Sequence, residues 1–527
     1  MKRYKLFAIF VLAVIALFSL GACQNTLDTP QDLEINLDLL QLSWAKVPEA
    51  TRYVIQITNV DTGEVKNKTT RSTRLSLDGI LAEGDYDISV MAEGGDAIGQ
   101  SEWSTPISYH QDYVSGCVYE LINNNSEYAI QTMGMAKGEI YIEDFYRGKP
   151  VTTIKASAFR TGTSITKVVI GNNVTTIQEN AFYGCSRLTN VVLPESLVTL
   201  GNSAFQNCHE LAEINIPSKL TALPAYMFAQ CRKLKSITIP DTVETIGEYA
   251  FTNCYSLESI VIPDNVTELG KGVFFKCEEL KEITIGKNIK TLPEELLYGC
   301  YNLTTVNFAE GNKLETLEDS VFASCYVRKT INQETQETVE IGLKALTLPE
   351  TVVSIGRYCF QGSKLLETIN IPESVTSIGR EAFVGTKIYE DQINSDEGLA
   401  YIGNWLVGIA KGYTEIVGDQ VVAVPGVYEL LTDLVRAGED PIEDIEAGKY
   451  QRKLREDIVG IADRVFRQAP NLKSVYLPAS LKYVGKNAFA RCEALYRVRS
   501  EGENLVSLGD DAFGYCISLY DVRFNEG

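Results

Sequence analysis

The sequence predicts a β-rich solenoid of about thirteen 23-residue repeats, preceded by an all-β sandwich. Cysteines recur at a strict 23-residue spacing from Cys185 to Cys300, and an aromatic or leucine residue stands three positions before each one. Every unit also carries a short apolar stretch that ends in turn-forming residues. A fixed period of about 20 to 30 residues is typical of a solenoid whose successive turns bury one face against the next.

One repeat shows how each element is expected to form. Leu257, Ile260 and Ile262 place apolar groups inward on a short strand, and Pro263 begins a turn. A second short extended piece follows, and Gly270 ends it before a short helical turn. This helical turn carries an aromatic position that defines thirteen repeats, at Phe159, Phe182, Phe205, Phe228, Phe251, Phe274, Leu297, Phe322, Phe360, Phe383, Phe466, Phe489 and Phe513.

The recurring cysteine, for example Cys254, could be a reactive group or a packing group. Equivalent residues on successive turns lie about 4.8 Å apart with parallel side chains, whereas a disulfide needs Cβ atoms about 3.8 Å apart and converging. A zinc site needs closely spaced Cys or His ligands, and the chain has only 2 histidines. We therefore predict packing thiols and no metal, in keeping with the small residues that replace cysteine at Gly162, Ser363, Thr386 and Ala469.

The N-terminal residues 1–22 have the composition of an export signal, with basic residues followed by an apolar run from about Leu6 to Leu20. A single membrane helix is the alternative, but the run is short against the roughly 20 residues that such a helix needs. The tetrad that ends at Cys23 resembles the lipobox of bacterial lipoproteins. That resemblance implies a lipidated Cys23 and a protein held at the membrane by its lipid.

Residues 24–112 contain alternating apolar stretches separated by turn signals, as in a β-sandwich. The early aromatic residues Trp44 and Tyr53, the Leu81 and Tyr86 pair, and Trp103 resemble the pattern of a fibronectin type III domain. Residues 113–157 form a junction that we expect to cap the first solenoid turn, because solenoid ends need covering.

The solenoid, residues 158–527, has two interruptions. The first, near 326–341, is polar and is expected to form a hairpin or a disordered tongue. The second, near 387–457, contains a predicted β-hairpin that turns at Gly403-Asn404, a segment at 427–438 with helical spacing, and an acidic run. Insertions into repeats often emerge on the binding face.

The repeat written by Leu234 to Cys254, LxxIxIPxxVTxIGxxAFxxC, resembles the BspA-like leucine-rich repeat family of microbial surface proteins. The resemblance covers about two-thirds of the chain. It implies an exported or surface-anchored protein that takes part in adhesion and in binding matrix proteins or neighbouring cells.

Catalytic patterns are scarce. His110 lies at the junction, and His209 follows Cys208 at a position where other repeats carry unrelated residues. The sequence has no nucleophile elbow, zinc-protease, phosphate-loop or EF-hand motif. The formal charge of -21 argues against nucleic acid, because phosphate binding needs clustered Lys and Arg. We predict a protein without enzymatic activity or cofactor.

Binding is better supported, because the outward positions of the main strand form two columns in which only 5 of 22 residues are charged. Strand propensity alone could also favour the Thr, Val and Asn found there. At the C-terminal end the columns finish in Tyr and Arg, residue types enriched in interface hot spots. Trp405 could bind a ligand or pack its hairpin onto the solenoid. The candidate ligand-binding residues are Thr238, Val261, Asn307, Asn370, Trp405, Tyr476, Arg497 and Arg499.

The sequence thus predicts a lipid-anchored protein of the bacterial surface that binds an extracellular protein or glycan through its solenoid. The main alternative is a glycan-processing enzyme or accessory protein that uses the 387–457 insertion, which would require convergent carboxylates in a cleft. A solute-binding lipoprotein of a transporter would have a two-lobed α/β fold, and the 23-residue period argues against it.

Overall fold

The computed structural model describes residues 26–36, 41–60, 62–77, 80–81, 84–95, 98–111, 116–394, 398–409, 413–417, 420–424, 429–431, 451–469, 472–500 and 502–524. The chain divides into two compact units, Met1–Val114 and Ser115–Gly527. No helix in these ranges is both long and apolar enough to cross a membrane.

The described residues of the first unit form seven antiparallel strands in two sheets. One sheet has the order β1-β2-β5 and the other β4-β3-β6-β7. Alternate residues of the long strands, such as Ile55, Ile88 and Val90, are buried in one core together with Trp44 and Tyr53. The strands are β1 (Glu34–Asn36), β2 (Gln41–Ser43), β3 (Arg52–Asn59), β4 (Val65–Thr70), β5 (Arg74–Ser76), β6 (Gly84–Glu93) and β7 (Ile107–Gln111).

The second unit is a β-solenoid in which short parallel strands stack along two faces. The first face carries the main strands that the sequence predicts for the repeats, together with strands from the junction and from the second insertion. Most of them pair with the equivalent strand of the next turn, for example Ser259 with Glu282 and Glu282 with Thr305. They are Gly138–Ile142, Ile165–Ile170, Asn190–Val192, Glu213–Ile214, Ser259–Val261, Glu282–Ile285, Thr305–Phe308, Ala345–Leu346, Thr368–Ile369, Glu429–Leu431, Gln451–Lys453, Ser474–Leu477, Arg497–Ser500 and Asp521–Phe524.

The second face has fifteen strands, so the solenoid has about 15 turns and not the thirteen predicted. The two additional strands come from a hairpin at the N-terminal end and from the hairpin in the second insertion, and neither turn carries the recurrent phenylalanine. The strands are Glu127–Thr132, Lys149–Ile154, Thr176–Ile177, Thr199–Leu200, Ala222–Leu223, Thr245–Ile246, Glu268–Leu269, Thr291–Leu292, Thr316–Leu317, Ser354–Ile355, Ser377–Ile378, Trp405–Ile409, Gly460–Ile461, Tyr483–Val484 and Ser507–Leu508.

The segment that joins the second face to the cysteine is here called the turn side. The sequence predicts a short helical turn there, but the segment is not helical. Within one turn Asn180 has a φ of 56° and Gly184 a φ of 72°, which are left-handed conformations. The N–H groups of Asn180, Phe182 and Gly184 donate to carbonyls of the following turn, at 2.8 to 2.9 Å. A helix would direct these N–H groups within its own segment, so the solenoid uses its turn side as a third set of turn-to-turn bonds.

The core is built from the phenylalanine positions. Phe159 to Phe274 form an unbroken column of six fully buried rings, with neighbouring centroids 4.7 to 6.0 Å apart. Leu297 interrupts the column, and the rings resume at Phe322 and again at Phe466. Within these columns each turn packs an aromatic ring on its neighbour, at distances that favour ring stacking.

The remaining elements lie outside the regular repeat. Val118–Ile122 pairs antiparallel with the first strand of the second face, and Phe145–Tyr146 pairs with Lys149–Ile154. In the first insertion Tyr326–Asn332 and Glu337–Gly342 form an antiparallel hairpin. The one α-helix in the described part of the chain follows Thr386, whose hydroxyl accepts from the Tyr389 N–H. In the second insertion, the elements outside the regular repeat are the helix Lys387–Ile393 and the strands Leu399–Ile402, Tyr413–Val417 and Gln420–Val424.

The second insertion departs from its prediction at one point. Its segment 427–438 has helical spacing in the sequence, yet Glu429–Leu431 forms a parallel strand beside Ser474–Leu477. The edge of the first-face sheet offers main-chain partners there, and these outweigh local helical preference. The rest of that segment and the acidic run 439–446 lie outside the described residues.

Candidate binding surface

The outward side chains of the first face stand in two columns that are in register from turn to turn. In the second column Val261 pairs with Thr284, and Thr284 pairs with Asn307. Because equivalent strands lie about 4.8 Å apart, these side chains form a regular surface along consecutive turns.

Three of the candidate residues are exposed on this surface. Thr238 and Asn307 are open to solvent, and 62% of the Val261 surface is exposed. The Asn307 side-chain amide donates to the Glu282 carboxylate at 2.7 Å. An exposed valine flanked by hydroxyl and amide groups offers both apolar contact and hydrogen bonding to a ligand.

Asn370 has a structural role that the sequence prediction did not include. Its side-chain oxygen accepts from the Leu348 N–H at 2.6 Å, and its side-chain nitrogen donates to the Leu348 carbonyl at 3.0 Å. Asn215 makes the same pair of bonds to Leu193. Both side chains replace strand-to-strand bonds between turns, so Asn370 is a poor candidate for ligand contact.

Trp405 is buried, with 2% of its surface exposed, and it cannot serve as an exposed anchor. Its ring stacks on Tyr483 with centroids 5.9 Å apart. A Cβ atom added to Gly460 would lie 2.4 Å from the Trp405 ring. The hairpin that carries Trp405 forms one turn of the solenoid, so neighbouring parts of the chain cover both of its faces. This outcome corresponds to the packing alternative for Trp405.

Tyr476, Arg497 and Arg499 lie on adjacent strands, as predicted from their columns. Tyr476 pairs in register with Arg499, and Ser474 pairs with Arg497. The Arg497 guanidinium donates to the Tyr476 hydroxyl at 3.3 Å. Ser474, which the sequence also placed among the outward positions, is buried between the neighbouring strands.

The sequence prediction missed the acidic partner of these arginines. Asp521 accepts from Arg497 at 2.9 Å and from Arg499 at 3.1 Å, and Arg523 approaches it at 3.4 Å. Burial favours the neutral acid, but the hydrogen bonds from Arg499 and Arg497 hold the pKa of Asp521 below its usual range. Asp521 and Arg523 continue the two outward columns by one more turn, and this spacing is visible in the sequence.

The turn-side cysteines from Cys185 to Cys325 are buried and free, and their sulfur atoms make specific contacts. The Cys254 thiol donates to the Phe228 carbonyl at 3.2 Å, and the same bond recurs from Cys185 to Cys325 along the column. Burial raises the pKa of Cys254 from 9.0 to about 12. The Cys254 thiol therefore lacks the thiolate character that a nucleophile needs.

His209 does not form a catalytic pair with its neighbour Cys208. Burial, followed by the charge of Arg232, lowers the pKa of His209. Burial raises the pKa of the Cys208 thiol well above its ordinary value, and that thiol donates to the Phe182 carbonyl. No group of three or more His, Cys, Asp or Glu residues in the described ranges could hold a metal ion. Cys23 lies outside those ranges.

Comparison with known proteins bears on the repeat. Similar solved structures include a leucine-rich repeat protein from Bacteroides ovatus, at 20% identity over 78% of this chain and 94% of that chain, with a TM-score of 0.38. They also include a leucine-rich repeat protein from T. pallidum, at 25% identity over 40% of this chain and 86% of that chain, with a TM-score of 0.30. A leucine rich cell surface protein from Faecalibacterium prausnitzii is also similar, at 20% identity over 80% of this chain and 96% of that chain, with a TM-score of 0.32. No curated protein matches the chain.

The family model described as "BspA type Leucine rich repeat region (6 copies)" matches residues 152–274, 221–342, 329–407 and 451–527. These ranges contain the phenylalanine column, the cysteine column and most strands of both faces. The chain belongs to the BspA-type leucine-rich repeat family.

Proposed function

We propose that this chain is a bacterial cell-surface protein that binds an extracellular protein or glycan on the first face of its solenoid. The observation that carries the proposal is the surface formed by Thr238, Val261, Thr284 and Asn307 on consecutive turns. These side chains carry no charge, although the chain has a formal charge of -21. Solenoid proteins use such extended surfaces for binding.

The N-terminal unit acts in this proposal as a fibronectin type III module that separates the solenoid from its anchor. Its sheets of three and four antiparallel strands support the assignment. So does the edge-to-face contact between Trp44 and Tyr53, whose ring centroids are 5.2 Å apart. Both rings are buried in the core of the unit, so their role is to hold the two sheets together.

The anchor in this proposal is a lipid on Cys23. The support comes from the order of the N-terminal sequence, in which basic residues precede an apolar run and small residues precede the cysteine. A single acyl chain gives only marginal membrane binding, so a multiply acylated cysteine is needed for a stable attachment.

Binding of the full-length protein in mild detergent to arrays of extracellular matrix proteins and glycans tests the proposed function. The informative variant is Thr238→Glu with Val261→Glu, which places charge on the uncharged surface without filling the core. Val198→Glu is the matched control, because Val198 is similarly exposed (55%) next to the second face. Binding lost in the double variant and retained in the control supports the proposal. Equal loss in both, or no binding by the wild type, contradicts it.

A further inference from the structure

A cluster of cationic and aromatic side chains occupies the C-terminal part of the first face. Arg497, Arg499 and Arg523 all approach a single carboxylate, that of Asp521. Such a concentration of guanidinium groups contrasts with the formal charge of -21 for the chain as a whole. The Arg523 side chain is 67% exposed, against 23% for Arg497 and 16% for Arg499, so the charge most available to a ligand is that of Arg523.

Arg523 is the outermost of these groups, with 67% of its side chain exposed. Its Nε atom is 3.4 Å from Asp521, which is longer than the usual hydrogen-bond range of about 2.7 to 3.2 Å. Because the Arg523 side chain is largely exposed to solvent, this ion pair is weak. Exchanging this contact for a ligand anion therefore costs little, and a guanidinium can present two parallel N–H groups to a carboxylate or sulfate.

Aromatic rings lie beside the arginines. The Arg497 guanidinium is 5.7 Å from the centre of the Tyr496 ring, and Tyr496 stacks on Tyr520 with centroids 5.7 Å apart. Tyr520 is 78% exposed. A ligand held by the arginines would thus meet an aromatic surface as well as hydrogen-bond donors.

The spacing of the outward columns discriminates between extended ligands that follow the solenoid. Tyr476, Arg499 and Arg523 occupy one column on successive strands, about 4.8 Å apart. A pyranose unit of an extended polysaccharide advances by about one such spacing. An extended peptide advances about 3.3 Å per residue and returns to the same side after about 6.6 Å. Same-side residues of an extended peptide therefore do not match the column spacing, whereas one sugar ring spans about one strand spacing.

We propose that this cluster binds an acidic polysaccharide that lies along the first face, with a uronate carboxylate or sulfate held by Arg523 and Arg497. The inference rests on the proposed binding function and specifies its ligand. The uncharged part of the same face, around Val261, would then contact further sugar units of the chain.

The test measures binding of the full-length protein to polygalacturonate, dextran sulfate, neutral dextran and poly-glutamate. We expect binding to at least one acidic polysaccharide, weaker binding to dextran and poly-glutamate, and a decline as salt increases. Arg523→Ala should weaken the interaction about tenfold, as expected for a hydrogen bond to a charged group. Arg328→Ala is the matched control, because this arginine is similarly exposed (63%) on the first-insertion hairpin.

Poly-glutamate binding as tight as polysaccharide binding, or equal losses in the two arginine variants, would overturn the assignment. If binding to array ligands is lost in the variant that changes Val261 but is unchanged in Arg523→Ala, the proposed function stands and this inference alone is refuted. The absence of both kinds of binding would refute both proposals.

Discussion

The thiol of Cys254 donates to the carbonyl oxygen of Phe228, which lies one turn earlier in the stack, at 3.2 Å. The same carbonyl also accepts from the Cys231 N–H at 3.0 Å. The recurring cysteine thus adds a second bond between consecutive turns, in addition to filling a small buried space. At the equivalent position Ser363 makes this contact through its hydroxyl, 2.6 Å from the Phe322 carbonyl.

We expect Cys254→Ser to be more stable than Cys254→Ala. Serine retains a donor for the Phe228 carbonyl, as Ser363 does, whereas alanine loses a hydrogen bond worth about 1 kcal/mol. Chemical unfolding at pH 7 checks the order of the two variants. A serine variant no more stable than the alanine variant would show that the hydrogen bond to the Phe228 carbonyl contributes nothing and that the thiol serves only to fill space.

Stability should fall at alkaline pH because the buried thiols are held in their protonated form. Burial raises the pKa of Cys254, and likewise of Cys325, from 9.0 to about 12. A raised pKa contributes stability below the unfolded value, and this contribution is lost between about pH 9 and pH 12. The stability advantage of the wild type over Cys254→Ala should therefore narrow by up to about 1.4 kcal/mol per pH unit above pH 9. If the difference in unfolding free energy between the two proteins is the same at pH 8 and at pH 10.5, this expectation is contradicted.

Phe251→Ala should destabilise the solenoid by about 3 to 5 kcal/mol, because it leaves a cavity in a fully buried ring column. The Phe251 ring lies between Phe228 at 5.4 Å and Phe274 at 5.5 Å. Phe251→Leu is the control, since Leu297 occupies the same slot naturally, and it should cost much less. Thermal unfolding of both variants measures the difference, and similar losses would show that the aromatic ring itself, and not the filled volume, provides the stability.

Trp405→Ala should also cost about 3 to 5 kcal/mol, because this buried ring fills the space between its hairpin and the following turn. Gly460→Ala should also be destabilising, but through overpacking, since its Cβ would meet the ring at 2.4 Å. Trp103→Ala, at a partly exposed tryptophan of the first unit, provides the comparison. If Trp405→Ala instead has the stability of the wild type but no longer binds the ligand, Trp405 would have to be assigned a role in ligand binding.

Cys23→Ala should release the protein from the membrane fraction of the producing cell if Cys23 carries the lipid anchor. Immunoblotting of separated membrane and soluble fractions measures the distribution. Retention of the variant in the membrane fraction would favour an uncleaved N-terminal helix.

The repeat made much of the fold accessible from sequence. Period fixes which residues stack, so the phenylalanine column and the in-register outward columns follow from spacing alone. The turn side was predicted as helical because its spacing is compatible with one turn of helix. Hydrogen-bond partners on the next turn decide its conformation, and those partners are 22 residues away in sequence, as for Phe182 and Ala204.

The candidate surface was less accessible because exposure depends on contacts between distant segments. Trp405 is covered by residues of a later turn that include Tyr483. Asn370 is occupied by the backbone of the preceding turn. By contrast, the Asp521 partner of Arg497 could have been found by extending the columns one turn further.

The column that joins each thiol to the preceding phenylalanine carbonyl has a consequence for how such genes change. Each turn contacts only the turn beside it, and the copies from Cys185 to Cys300 offer the same donor and acceptor, as between Cys231 and Phe205 or Cys277 and Phe251. Unequal recombination within the gene can therefore add or delete whole 23-residue units and leave every remaining junction intact. Lineages can vary the number of ligand contacts by copy number, without first evolving a new interface.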